Sequence, residues 1–135
     1  MSAEYVRIVR LHRGKLKPAE FRLRPGERGL SMFRRLTSPS PAEVLEAVRG
    51  AGKQGDLVAV VVPASELARL GLTVTATPGG TPVAAVNAVH VEARLPFWRA
   101  WLFRLRGVAA DEYFNERFSG PIHAAARVLE GESEL

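Results

Sequence analysis

The chain contains no cysteine, and that one absence removes disulfides, thiolate metal sites and cysteine nucleophiles together. It agrees with a reducing compartment. Long apolar runs are missing as well: the longest clean one, Leu57 to Val62, falls far short of the roughly 20 residues that a membrane-spanning helix needs. The opening residues, MSAEYVRIVRLHRGK, lack the apolar stretch of a secretory signal. These absences lead to the expectation of an intracellular, cytoplasmic protein with no membrane span. No histidine lies at helical or zinc-type spacing from another. The Gly79-Gly80 loop has neither the extended glycine pattern nor the lysine of a phosphate loop, and there is no GxSxG. No metal and no cofactor is expected.

What the chain does have is an average globular balance, 47% hydrophobic and 24% charged over 135 residues, which fits one domain with a core of its own. The expected fold class is α+β. A mixed sheet of about five or six strands carries helices packed on it and ends in a helical C-terminal third. Along residues 1–135 the expectation is basic N-terminal strands (1–36), a mixed core (37–94) and a helical C-terminal segment (95–135).

The net charge of +5 conceals a strong asymmetry. Residues 1–35 carry ten Lys/Arg against three acids, and residues 94–106 carry Arg94, Arg99, Arg104 and Arg106 against none. The centre is slightly acidic, and residues 107–135 carry two basic residues against six acids, with Glu130, Glu132 and Glu134 at the end. Charge distributed in this way points to nucleic acid, another anionic surface or an acidic partner.

Local patterns divide the chain. Tyr5 to Leu11 is β-branched and aromatic, and Phe21-Arg22-Leu23-Arg24 alternates apolar with basic, so both read as strands, with Leu30 to Leu36 as a third. Ser40, Pro41 and Glu43 form a capping signature for a helix that stops at Gly50 and Gly52. Asp56 to Val62 reads as a central strand covered on both faces. A short helix over Ala64 to Leu70 and a strand over Leu72 to Thr77 follow, and whether that strand pairs with the central one stays open. After the Thr77 to Pro82 connector come a turn of helix and a strand over Val89 to Arg94, then helices over Phe97 to Arg106, Ala110 to Phe118 and Pro121 to Glu130.

Three features carry candidate chemistry. Arg7 and Arg10 with Arg22 and Arg24 offer guanidinium forks for phosphate on a two-stranded basic surface. In the helix from Phe97, Trp98, Trp101, Leu102 and Leu105 form one stripe, assigned to the core, while Arg99, Phe103 and Arg106 share another face. Phe103 there can stack on an unpaired base, enter a membrane interface or pack under the acidic C-terminal helix. Finally, His90-x-Glu92-x-Arg94 would project an imidazole, a carboxylate and a guanidinium from one strand face. That set suits metal-independent cleavage of RNA by its own 2′-hydroxyl, against the plainer reading of a sheet-edge histidine beside an exposed ion pair.

The leading expectation is a nucleic-acid binding module, for RNA or single strands, using Arg7, Arg10, Arg22, Arg24, Arg99, Phe103 and Arg106. One alternative is a small toxin-type ribonuclease using His90, Glu92 and Arg94. Another is an adaptor that docks an acidic protein through the same basic surface.

Overall fold

The computed structural model describes residues 3–129. Its strands are β1 (Glu4–Arg10), β2 (Gly29–Arg34), β3 (Leu57–Pro63), β4 (Thr73–Ala76), β5 (His90–Arg94) and β6 (Arg127–Val128). Its helices are α1 (Pro41–Gly50), α2 (Ala64–Arg69), α3 (Ala84–Asn87), α4 (Phe97–Arg106), α5 (Ala110–Arg117) and α6 (Ser119–Ala125). The strands make one six-stranded sheet in the order β4-β5-β2-β1-β3-β6, with helices on both faces, so the fold is α+β.

Every neighbouring pair in the sheet is antiparallel, where a mixed sheet was expected. The reason lies in β4, which crosses to pair with β5 and leaves no parallel crossover beside β3. The apolar run of β3 is covered on both faces as its composition predicts. Val60 and Val62 join Leu67 of α2, Phe114 of α5 and Ile122 of α6 in one core, while Ala59 and Val61 join Val44 and Ala47 of α1 in the other. The strand is nevertheless not central, since only the two-residue β6 lies beyond it and β1 and β2 take the middle positions.

The α1 capping signature is realised. Ser40 Oγ accepts from the Glu43 amide at 3.2 Å, and Glu43 Oε1 accepts from the Ser40 amide at 3.1 Å, which satisfies two of the amides a helix start leaves free.

Residues 21–24 do not form a strand of the sheet. Pro18–Phe21 is a 3-10 turn, and the extended residues after it are held by a side chain. Asn115 of α5 accepts from the Leu23 amide at 2.6 Å and donates to the Leu23 carbonyl at 2.9 Å. The alternation itself holds, with Phe21 and Leu23 buried and Arg22 and Arg24 exposed. The last helix also ends earlier than its pattern suggests. It stops at Ala125, and Arg127–Val128 returns to pair with β3. Glu130 and the acidic residues after it lie outside the described residues.

The helix α4 is turned the opposite way from expectation. Phe97, Trp98, Trp101 and Leu105 are 86%, 61%, 54% and 65% exposed, so the tryptophans do not pack in the core. From the opposite stripe Arg99 and Phe103 face inward, while Arg106 is exposed and Leu102 of the first stripe is half-buried: Phe103 lies 4.5 Å from Tyr113 of α5, ring centre to ring centre, and Arg99 Nη2 donates to the Tyr113 hydroxyl. Pro96 precedes the helix, and Gly107 closes it in the left-handed conformation at φ 70°.

The sheet is divided along its middle. β1 pairs with β3 over its whole length, but with β2 only through Tyr5–Arg34 and Val6–Phe33. Beyond Val6 the two central strands separate, and the side chain of Arg7 occupies the seam.

Candidate functional site

Arg7 reaches across the seam with two of its five N–H donors. Nε donates to the Glu20 carbonyl at 2.9 Å, and Nη1 donates to the Ser31 carbonyl of β2 at 2.7 Å. A side chain thus replaces the main-chain ladder. Nη2 makes no hydrogen bond among the described residues, while no fully buried side-chain nitrogen or oxygen among them lacks a partner, so Nη2 is open to water. Arg7 lines a cavity of about 240 Å³ together with Ile8, Ser31, Phe33, Lys53, Thr81 and His90, among others. The cavity opens on the face covered by α1, where the seam gives Arg7 access.

Lys53 follows α1 and the left-handed Gly52 (φ 108°), and its Nζ donates to the Ile8 carbonyl at 2.9 Å. Burial and the nearby Arg7 cation pull its ammonium down from 10.5 to about 8, against an opposing pull from Glu20. Burial likewise lowers Arg7, to about 10, with Glu20 again working the other way, and the guanidinium stays charged through the neutral range. Glu20 is the carboxylate that faces both cations. Burial pushes its acid up, but the hydrogen bond from the Arg10 amide, the His12 ring and the Lys53 charge outweigh that and hold it below its ordinary value. Glu20 is thus the carboxylate common to both recessed cations, with Glu27 acting on Arg7 as well, and Glu20 is already bonded to Arg10 N at 2.8 Å and His12 Nε2 at 3.0 Å. Buried charge without full pairing is unfavourable.

His90 enters the same cavity from the start of β5. Its Nδ1 lies 2.6 Å from the Thr77 carbonyl and 2.8 Å from the Thr77 hydroxyl. A carbonyl only accepts, so this contact assigns the proton to Nδ1 and leaves Nε2 as the acceptor in the neutral ring. The ring stands edge-on to Phe33 at 5.0 Å.

His90, Glu92 and Arg94 share one face of β5, with Val91 and Ala93 buried on the other. They do not form one working group, however. Glu92 Oε1 accepts from Arg94 Nε at 2.9 Å and Nη2 at 2.7 Å, and neither residue lines the cavity. The Arg94 stem lies over Gly29, where a Cβ would meet Arg94 Cγ at 2.5 Å and the Ala93 carbonyl at 2.8 Å.

The basic residues expected to form one track are only partly together: Arg7, Arg10 and Arg24 lie near enough to the recess that Arg24 acts on Arg7 and both Arg10 and Arg24 act on Lys53, whereas Arg22, Arg99, Phe103 and Arg106 lie elsewhere. Arg7 is recessed in the seam, and Arg10 donates to the Gln54 carbonyl at 2.7 Å. Arg22 borders a separate open cleft of about 480 Å³ that also exposes Glu112 and Glu116. Arg24 is exposed on the segment held by Asn115. Arg99 and Phe103 are engaged with Tyr113, and Arg106 is exposed at the end of α4. The two-stranded basic surface is therefore not formed, because residues 22–24 leave the sheet. Lys53, Ser31 and Thr81 were missed, since nothing local marks a lysine after a helix-terminating glycine as buried.

Among the described residues no cluster of three or more His, Asp or Glu side chains could hold a metal ion. The fold and cavity define an antiparallel α+β protein with a cationic recess. Comparison with protein-family models, with curated proteins and with solved structures finds no match to this chain.

Proposed function

We propose that this protein is a basic intracellular binding module for phosphate-bearing ligands, nucleic acid foremost, and that one phosphate occupies the recess formed by Arg7, Lys53 and His90. The observation that carries this reading is the Arg7 guanidinium, fixed by two carbonyls with Nη2 left free, in the same cavity as the Lys53 ammonium. A guanidinium so fixed is preorganised for a phosphate oxygen. At about 240 Å³ the recess is below the roughly 300–1,000 Å³ of pockets for drug-sized ligands, a size for one anionic group of a chain. The surplus charge of residues 1–35 supplies the long-range attraction.

Labelled single-stranded RNA should bind at low salt and weaken steeply between roughly 50 and 200 mM salt through counterion release. Fluorescence polarisation reads this directly, and no association at the lower salt removes the proposal.

The lowered Lys53 value adds a pH signature. Its folded value of about 8 lies below the ordinary 10.5, so between the two the unfolded chain binds more protons than the folded one, and folding stability rises with pH across that window. Anion affinity moves the other way and falls above about pH 8 as the ammonium is lost. Titrations at pH 7 and pH 9 with wild type and Lys53→Gln check it. The pH step should be present in the first and absent in the second, and an equal step in both excludes Lys53 as its source.

A second reading is favoured by His90, which lines the same cavity as Arg7 and Lys53 and whose Nδ1 is held at Thr77, leaving Nε2 as the acceptor. In RNA cleavage it would take the 2′-hydroxyl proton as the 2′ oxygen bonds to phosphorus. The bond to the 5′ oxygen then breaks, that oxygen takes a proton from the Lys53 ammonium, and Arg7 balances the charge on phosphorus. Glu92, held by Arg94, has no part in this version. If RNA stays intact during prolonged incubation with wild type, binding without cleavage is the function.

A further inference from the structure

The outward face of α4 is the most anomalous surface of the molecule. Of the large apolar side chains that stand exposed among the described residues, Phe97, Trp98, Trp101 and Leu105 all belong to this one helix, and Val108 follows directly after it. At 100° per residue these four fall within one arc of about 100°, with Arg104 bordering it on one side and Leu102 on the other, and Arg106 further round at the exposed end of the helix. No acidic residue occurs between Glu92 and Asp111.

We propose that this face of α4 is a docking surface for an anionic lipid bilayer, lying in the plane of the interface with Trp98, Trp101, Phe97 and Leu105 among the headgroups and upper acyl chains. Tryptophan favours that depth because its ring is apolar and its N–H is polar. Arginines that border an apolar arc meet lipid phosphates while their stems cover apolar surface. A second copy of the chain fits less well, since pairing this face with itself brings the Arg104 side chains of both copies to the edge of the contact while the helix supplies no carboxylate to pair with them. No helix among the described residues is long and apolar enough to cross a membrane, and an in-plane helix does not need to be.

This surface belongs to the side of the sheet covered by α5 and α6, whereas the Arg7 recess opens on the side covered by α1. The two sites can therefore fail independently.

Trp98 and Trp101 are the only tryptophans in the chain, so intrinsic fluorescence reports on this face alone. Wild-type protein is titrated with vesicles of phosphatidylcholine alone and of phosphatidylcholine mixed with phosphatidylglycerol. The expected result is a shift of tryptophan emission to shorter wavelength with the anionic vesicles only, reduced by added salt. Phe97→Glu and Leu105→Glu each remove the shift and leave RNA binding unchanged. Both side chains are exposed, so neither change disturbs the core. Two results overturn the proposal. One is emission that anionic vesicles leave unaltered, including the case in which the protein is a dimer that Leu105→Glu dissociates. The other is an equal shift with both vesicle types.

Discussion

Arg7→Met is expected to weaken phosphate binding at the recess by about two orders of magnitude, equivalent to roughly 3 kcal/mol for a desolvated ionic hydrogen bond, while costing folding about 1–2 kcal/mol. The two effects have different origins. Binding loses the fixed guanidinium that meets the anion. Folding loses two hydrogen bonds, to Glu20 O and Ser31 O, but is also relieved of a buried cation whose nearby carboxylate is bonded elsewhere. Methionine keeps the seam filled but donates to neither carbonyl, so the relief of the buried cation offsets only part of the lost hydrogen bonding. Arg7→Ala leaves the same carbonyls without a donor and empties the seam as well, and a larger loss of about 3–5 kcal/mol is expected. Phosphate titration and urea unfolding of the two variants separate the effects. Methionine binding phosphate as tightly as wild type would exclude Arg7 from the site.

The second large effect is expected at Phe114. Its ring is fully buried, lies 5.3 Å from the Phe118 ring in an edge-to-face arrangement and packs against the sheet beneath α5 and α6. Truncation to alanine removes that burial and leaves a cavity, a change that typically destabilises by about 3–5 kcal/mol. Small domains have about 5–15 kcal/mol in total, so the variant should be marginal, with its urea midpoint sharply lowered. A loss under about 1 kcal/mol would mean that the α5–sheet packing described above is wrong. The residue matters beyond its own contacts because its neighbours hold other parts of the molecule. Tyr113 holds α4 through Phe103 and Arg99, and Asn115 holds the segment around Leu23. Loosening α5 therefore releases both.

Much of the architecture was legible because it is locally encoded. The Ser40-Pro41-Glu43 cap, the doubly covered run of β3 and the alternation of β5 each depend on residues within one element. What was not legible depends on partners remote in sequence. Phe21 to Arg24 alternates as a strand does, but its hydrogen-bonding partner is the amide side chain of Asn115, and no periodicity announces that. On α4 the arithmetic separates the two stripes correctly, yet it cannot choose which one meets the protein. Hydrophobicity favoured the tryptophan stripe, while the contact actually made is Phe103 on Tyr113. The candidate site combines both problems. The shared face of His90, Glu92 and Arg94 follows from strand geometry, whereas the recess exists only because β1 and β2 separate after Val6 and because a loop returns Lys53 beneath β1.

That separation has a mechanical consequence. With two residue pairs, the Arg35–Glu4 contacts at one end and the Arg7 guanidinium joining β4-β5-β2 to β1-β3-β6, the sheet behaves as two stiff plates meeting at a soft joint, and thermal opening should concentrate there before either plate yields. An anion bound to Arg7 on one plate and close to His90 on the other would act as a rivet across the joint, so that occupancy of the recess is felt as rigidity by the whole sheet.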